Sequence, residues 1–426
     1  MNPENFSGYY KKSITERQEI LAKEFSLTQE ELALLQKEGS LKFEIADRMI
    51  ENVIGTFPLP LGIATNFNID GKDYIIPFAL EEPSVVAAAS NAAKLSNGFT
   101  TDSDEPIMIG QIQLVKVSNS KDALKKILEN KKSLLEYATT IDPILVKFGG
   151  GPRDLTCELL STPRGEMVVV HLLVDVRDAM GANAVNSMCE KLAPKLEEIT
   201  SGEARLKILS NLAVYRKARA KTVWTKEKLG ESTKGEFKGE DVVEYILDAF
   251  EFARATQFRA TTNNKGIMNG IDSVVIATGN DFRAIESGAH SFAAFGHPYN
   301  TLTKYYKNKN GDLVGEIELP LALGLVGGAT KVHPLAQISL KILGVKTAQE
   351  LARIIASVGL AQNFAALRAL ATSGIQAGHM KLHAKNIAAQ AGATGEEINI
   401  VSQKMIEAKE INQLKAESIL KELREK

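Results

Sequence analysis

Cysteine is scarce: the 426-residue chain has two, Cys157 and Cys189, in different contexts and without CxxC spacing. That excludes a disulfide framework and a zinc ribbon, and it suits a reducing compartment. Neither charge sign dominates, because 51 Lys plus Arg stand against 52 Asp plus Glu. The chain therefore has no bulk positive field for a nucleic-acid backbone. No uncharged apolar run approaches the roughly 20 residues that cross a bilayer, and the opening MNPENFSGYYKKSITERQEI lacks the apolar core of a signal peptide. The expectation is a soluble, cytoplasmic protein without nucleic-acid or membrane partners. Internal repeats, low-complexity tracts and heptads are absent. So are GxGxxG after a strand and GxxxxGK[ST], which leaves a standard Rossmann fingerprint or P-loop unsupported.

The rest of the composition is that of a globular protein, with 44% hydrophobic and 24% charged residues, and the length predicts two or three domains. Residues 12 to 55 read as short helices, with Ser26, Thr28 and a following glutamate as start signals in SLTQEELALLQKEG. DYIIPFAL (73 to 80) is a strand, followed by an Ala-rich helix in EEPSVVAAASNAAKL with Pro83 near its first turn. IMIGQIQLVKV, MVVVHLLVDV and ARLKILS are strands, and DALKKILENKKSLLEYA is one amphipathic helix; together they form an α+β insert at 107–218. Long helices return over 219–375, including DVVEYILDAFEFARAT and KTAQELARIIASVGLAQNFAALRALAT, with GDLVGEIELPLAL among the strand candidates between them. The tail after 376 is helical, with Thr394 and Glu397 at capping-box spacing.

Four places can carry chemistry. In VDVRDAMGANAVN a strand ends at Val176 and a helix begins near Gly181, where free N–H groups can hold a pyrophosphate; a plain strand-to-helix turn has the same spacing. Glu82 in Glu81-Glu82-Pro83-Ser84 sits beside a helix start, where a carboxylate is normally a cap. In TTNNKGIMNGIDSVVIATGND the helical rhythm of Ile267, Met268, Ile271, Val274 and Val275 puts Lys265 at a helix start and Asp281 about 20 Å away. The two meet only if the chain folds back or a second subunit contributes. In GIQAGHMKLHAKN, His379 and His383 are one turn apart, but Met380 stands where the HExxH glutamate would be. A proton donor at His379 and a structural histidine are both open. KFGGGPRDL and LVGGATKVHP are glycine clusters that fit a ligand or a tight loop.

Taken together, ENVIGTFPLPLGIATNF, EEPSVVAAAS, DAMGAN, ILSN, NKGIMNGI, ATGND, LVGGATK, GLAQN and GIQAGHM occur in an order that resembles the class II 3-hydroxy-3-methylglutaryl-coenzyme A (HMG-CoA) reductases, from residue 51 to residue 380. The resemblance implies an α+β fold. Its parts are a mostly helical large domain (1–106 and 219–375), an inserted ferredoxin-like cofactor domain at 107–218 and a helical C-terminal flap at 376–426. It also implies a homodimer with active sites at the interface, and reduction of HMG-CoA to mevalonate and free coenzyme A by two nicotinamide hydrides.

By the same resemblance Lys265 stabilises charge on the thioester oxygen, Asp281 balances the lysine, Glu82 exchanges protons with the substrate oxygen, and His379 protonates the departing thiolate. Arg259 matches the arginine that pairs with the substrate carboxylate, with Ser84 and Asn269 as neighbours. Cofactor contacts fall on Asp178, Ala179, Met180, Gly181, Ala182, Asn183 and Asn211. Asp142 occupies a position where NADH-preferring relatives carry an acid, so NADH is favoured, while Lys147 and Arg153 leave NADPH open. No metal is expected. Asn263 stands where the family commonly has histidine. The competing readings are a catalytically silent acyl-CoA-binding module of the same fold and a metal-dependent hydrolase built on His379 and His383.

Overall fold

Two periodicities divide the chain. A computed structural model describes residues 1–39, 41–372 and 384–425 and turns the period-two and continuous apolar segments into ten strands among them. These are β1 (Leu61–Ile69), β2 (Lys72–Ala79), β3 (Phe99–Ser103), β4 (Ile107–Val115), β5 (Gly151–Thr162), β6 (Gly165–Asp175), β7 (Glu203–Ser210), β8 (Lys217–Trp224), β9 (Thr303–Lys307) and β10 (Leu313–Pro320). A six-stranded sheet runs β2-β1-β3-β8-β10-β9, and a four-stranded sheet runs β5-β6-β4-β7.

The smaller sheet is drawn from residues 107–210 and is antiparallel throughout. Its chain order of strand, helices, hairpin, helix and strand is the split βαβ pattern of ferredoxin-like folds. Alternation explains its burial: Met108, Ile112 and Leu114 of β4 are fully buried, and the helix Ala182–Thr200 covers them with Val185, Met188, Cys189 and Leu192.

The larger sheet packs through β3, β8 and β10 against the helix Ala348–Ala371, whose Phe364 stacks on Trp224 of β8 with ring centroids 3.8 Å apart. By length and composition this helix could cross a membrane, yet 67% of its most apolar stretch is buried inside the protein. It packs against the helix Gln257–Ala277 through glycines. A Cβ at Gly359 would come within 2.8 Å of Ile271, and one at Gly270 within 3.0 Å of Val358 and Gln362, so the axes approach closely and fix the face on which Lys265 stands.

Smaller clusters close the two ends. Ala384, Ala388, Val401, Met405, Ile419 and Leu420 form a separate core within the C-terminal helices. Near the N-terminus, Ser13 with Glu16 and Thr28 with Glu31 make reciprocal capping boxes that start the helices Ile14–Glu24 and Gln29–Gln36.

Several local expectations are corrected. DALKKILENKKSLLEYA is two helices, Ser120–Glu129 and Lys131–Thr139, because Asn130 leaves helical geometry and bonds back to the Lys126 carbonyl. The cluster at 149–151 leads straight into β5. Gly395, not Thr394, is the N-cap of Glu396–Glu407, although Glu397 still accepts from the Thr394 N–H at 2.9 Å.

Candidate functional site

Lys265 is the ninth residue of the helix Gln257–Ala277, which corrects its placement at a helix start: the pattern begins two turns earlier, in QFRATTNN, where polar residues hide it. The adverse dipole therefore does not act on it. Its partner comes from the turn between β2 and the helix Val85–Leu95. There Ser84 takes a left-handed conformation at φ 80° and no side chain caps the helix. Glu82, expected as a cap, reaches across instead, and Lys265 Nζ donates to its Oε2 at 3.3 Å. With side chains 64% and 36% exposed, such a pair contributes at most about 1 kcal/mol, so the arrangement says little about stability.

Arg259, Ser84 and Asn269 join the pair around one cavity of about 330 Å³. Arg259 has no ion-pair partner among the described residues, and burial pushes its pKa down, which leaves a part-desolvated guanidinium facing the cavity without an anion. Ser84 Oγ is buried and unpartnered. The sequence reading did not assign three further lining residues, Asn263, Gln362 and Asn363.

A larger cleft of about 1090 Å³ lies where β6 turns into the helix Ala182–Thr200. It is lined by Asp142, Ala179, Met180, Gly181, Ala182, Asn183 and Asp281, with the glycine cluster of 324–330 opposite. Gly181 is required here, because its φ is 102° and a Cβ would come within 2.7 Å of Val176. No side chain caps this helix start, so its first N–H groups are left for an anionic ligand. Arg216, fully buried and with its pKa pushed down to about 10 by burial, donates to the Ala179 and Met180 carbonyls at 3.0 and 3.2 Å and to the Leu323 carbonyl. The Gly324 N–H donates to Asn280 Oδ1 at 2.7 Å. These bonds lock the glycine-rich turn to the larger part of the protein.

Other predicted residues lie elsewhere. Asp178 Oδ1 accepts from the Ala348 N–H at 2.7 Å, which ties the turn to the start of the buried core helix, and Asp178 does not line the cleft. Asn211 is exposed and also outside the cleft, with its carbonyl packed near Gly288. Asp142 caps the short helix Pro143–Lys147 by accepting from the Leu145 N–H at 2.9 Å. Lys147 is exposed, while Arg153 is held by the buried Asp175 at 2.7 Å. Asp281 caps the helix Phe282–Phe292, accepting from the Arg283 and Ala284 N–H groups, and pairs with the Arg283 side chain at 3.0 Å. Twelve helical residues, roughly 18 Å of rise, separate Lys265 from the helix end at Ala277, so one chain does not bring Lys265 and Asp281 together. His379 and His383 fall outside the described residues.

A lysine–carboxylate pair beside an unpaired arginine in one cavity, and a separate glycine-floored cleft at a helix N-terminus, are the equipment of an enzyme that binds an anionic substrate and a phosphate-bearing cofactor. The comparisons identify the class. A family model described as hydroxymethylglutaryl-coenzyme A reductase matches residues 13–384. The 3-hydroxy-3-methylglutaryl-coenzyme A reductase of Archaeoglobus fulgidus is 57% identical over 420 residues, covering 98% of this chain and 94% of that protein. The Streptococcus pneumoniae enzyme superposes with a TM-score of 0.83 at 42% identity, covering 98% of this chain and 99% of its own. A second structure of that class II enzyme, bound to NADPH in open conformations, gives 0.82 at 42% identity over 86% of this chain and 100% of its own. The chain belongs to the class II hydroxymethylglutaryl-coenzyme A reductase family. It is accordingly an NAD(P)H-dependent oxidoreductase.

Proposed function

We propose that the 330 Å³ cavity takes the hydroxymethylglutaryl group of HMG-CoA and the 1090 Å³ cleft takes the nicotinamide cofactor, with the chain reducing the thioester to mevalonate and free coenzyme A. The observation that carries this reading is the 3.3 Å Lys265–Glu82 pair sharing its cavity with the unpaired Arg259. Arg259 binds the free carboxylate of the substrate as a bidentate fork. Ser84 and Asn269 complete the hydrogen bonding of that end.

When bound, a reduced nicotinamide would supply one hydride to the thioester carbon, and a second reduced nicotinamide, exchanged for the oxidised one, would supply another to the aldehyde. Gly181 and the uncapped N–H groups after it suit the cofactor's pyrophosphate, with Ala179, Met180, Ala182 and Asn183 as walls. Asp178, carried over from the family motifs as a cofactor contact, anchors the turn to the core helix in this reading, and Asn211, carried over with it, stands outside the cleft. Lys265 holds the negative charge that builds on the carbonyl oxygen, where a preplaced cation counts most. Glu82, within reach of the same ammonium, passes a proton to that oxygen. His379 protonates the leaving thiolate so that it does not re-add to the aldehyde.

Asp281 completes the site from a second subunit. The reading is supported by its separation from Lys265 in one chain and by exposed apolar side chains near the site. Phe258 is 92% exposed on the Lys265 helix, and Ile54 and Phe57 stand free in the segment before β1. We take residues 107–218 as the cofactor domain, 1–106 with 219–375 as the substrate domain and 376–426 as the flap. NADH is the preferred cofactor, on the strength of Asp142 at the cleft wall. The unpaired Cys157 and Cys189 suit the cytoplasm.

Subunit complementation tests this. Lys265→Ala and Asp281→Ala homodimers should each be inactive, whereas a re-equilibrated equal mixture should recover about a quarter of wild-type activity, because half the dimers are mixed and each carries one intact site. No recovery, with mixed dimers demonstrated, would place both residues in one subunit's site.

A further inference from the structure

Asn263 is 2% exposed and has one polar atom committed and one free. The commitment follows from Tyr305, whose buried hydroxyl donates to Asn363 Oδ1 at 2.9 Å together with the Thr303 hydroxyl at 2.9 Å. That fixes the Asn363 amide so that its Nδ2 donates to Asn263 Oδ1, also at 2.9 Å. Asn263 Nδ2 is thereby left buried with no acceptor. Across the same cavity wall, Gln362 is 5% exposed, and its Oε1 is buried with no donor. Both residues line the 330 Å³ cavity with Arg259 and Lys265, and Asn263 stands one helical turn from Arg259.

A buried N–H and a buried carbonyl oxygen without partners, on two residues that line one cavity, would both be satisfied by a group in it that can accept and donate once the amides turn toward it. Within the substrate class proposed above, a carboxylate and a thioester oxygen only accept. The tertiary hydroxyl does both. We propose that Asn263 is a substrate-positioning residue whose Nδ2 donates to the 3-hydroxyl, which in turn donates to Gln362 Oε1. This rests on the reading of the cavity as the hydroxymethylglutaryl site. Asn263 selects for the hydroxylated acyl group and sets its rotation about C3, while Arg259 holds the carboxylate and Lys265 meets the carbonyl.

The test compares HMG-CoA with 3-methylglutaryl-CoA, which lacks the hydroxyl, through the KM of the first and the inhibition constant of the second. The wild-type enzyme should prefer the hydroxylated compound by roughly tenfold or more, the range set by a buried hydrogen bond whose partners are otherwise left open. In Asn263→Ala that preference should fall to within about threefold of unity, mostly through a higher KM, with kcat changed less. Asn263→His, which restores a ring N–H, should recover part of the preference. Asn263→Ser keeps an acceptor for the Asn363 amide on a shorter side chain whose hydroxyl no longer reaches the substrate, and serves if the alanine variant fails to fold. An unchanged ratio in an active variant, or equal weakening of both compounds, would overturn the assignment and indicate a structural amide or a bound water. A wild-type protein that binds neither compound would remove the cavity reading and this inference with it.

Discussion

Lys265 Nζ lies 3.3 Å from Glu82 Oε2, joining a helix to a turn 183 residues earlier in the chain. Both side chains are substantially exposed, so neither serves the core. Lys265→Ala should reduce HMG-CoA turnover by about 10³-fold or more while changing stability by no more than about 1 kcal/mol. Steady-state rates beside a urea melt check this, and near-normal turnover would remove the lysine from the mechanism.

The thiolate role of His379 predicts a split between substrates. His379→Gln should lower thioester reduction by about 10²-fold and leave reduction of free mevaldehyde within a few-fold of wild type, since no thiolate departs in that reaction. Equal losses in the two assays would contradict the role.

Asp142 lines the cofactor cleft with a carboxylate whose Oδ1 caps a short helix. Asp142→Ser keeps a capping oxygen and removes the negative charge. The ratio of kcat/KM for NADPH to that for NADH should rise by roughly tenfold, because a 2′-phosphate no longer meets an anion. A constant ratio would assign Asp142 to the helix alone.

Asp272 faces Glu286, and burial, with Glu286 adding to it, pushes the Asp272 pKa up to about 8 from 3.8. Glu286 is itself held ionised by His290, whose Nε2 is 2.7 Å away, and His290 Nδ1 meets the Tyr299 hydroxyl at 2.7 Å. The folded protein then keeps a proton on Asp272 that the unfolded chain releases above about pH 4. The contribution of Asp272 to native stability therefore falls as pH rises from about 4 to about 8 and levels off beyond. Asp272→Asn removes this dependence and keeps a donor for Glu286. Its melting temperature should match wild type near pH 4 and exceed it by a few degrees at pH 8. A difference that is constant across pH would show that Asp272 does not titrate in the fold.

Local pattern carried much of the fold. Alternation in IMIGQIQLV and the apolar run in MVVVHLLVD marked the paired strands β4 and β6, and the Ala-rich and Leu-rich periods marked the core helices. Polar interruptions hid the rest. QFRATTNN masked two turns of the Lys265 helix, and Asn130 broke a pattern that periodicity alone joined. At the site, Glu82, Ser84, Arg259, Lys265 and Asn269 were named in sequence and meet at one cavity. Arg216 and Gln362 were not, and Asn263 was named without a role, because their roles depend on which carbonyl or amide faces them after folding, and spacing does not encode that. Asp281 could be named but not placed beside Lys265 within one chain.

The most direct measurement is loss of reduced-nicotinamide absorbance with HMG-CoA, following thiol release in the same cuvette, with NADH and NADPH run in parallel. The account predicts two cofactors oxidised for each coenzyme A released, faster with NADH. Folded protein that binds HMG-CoA yet oxidises neither cofactor would contradict it and leave an acyl-CoA-binding module in its place.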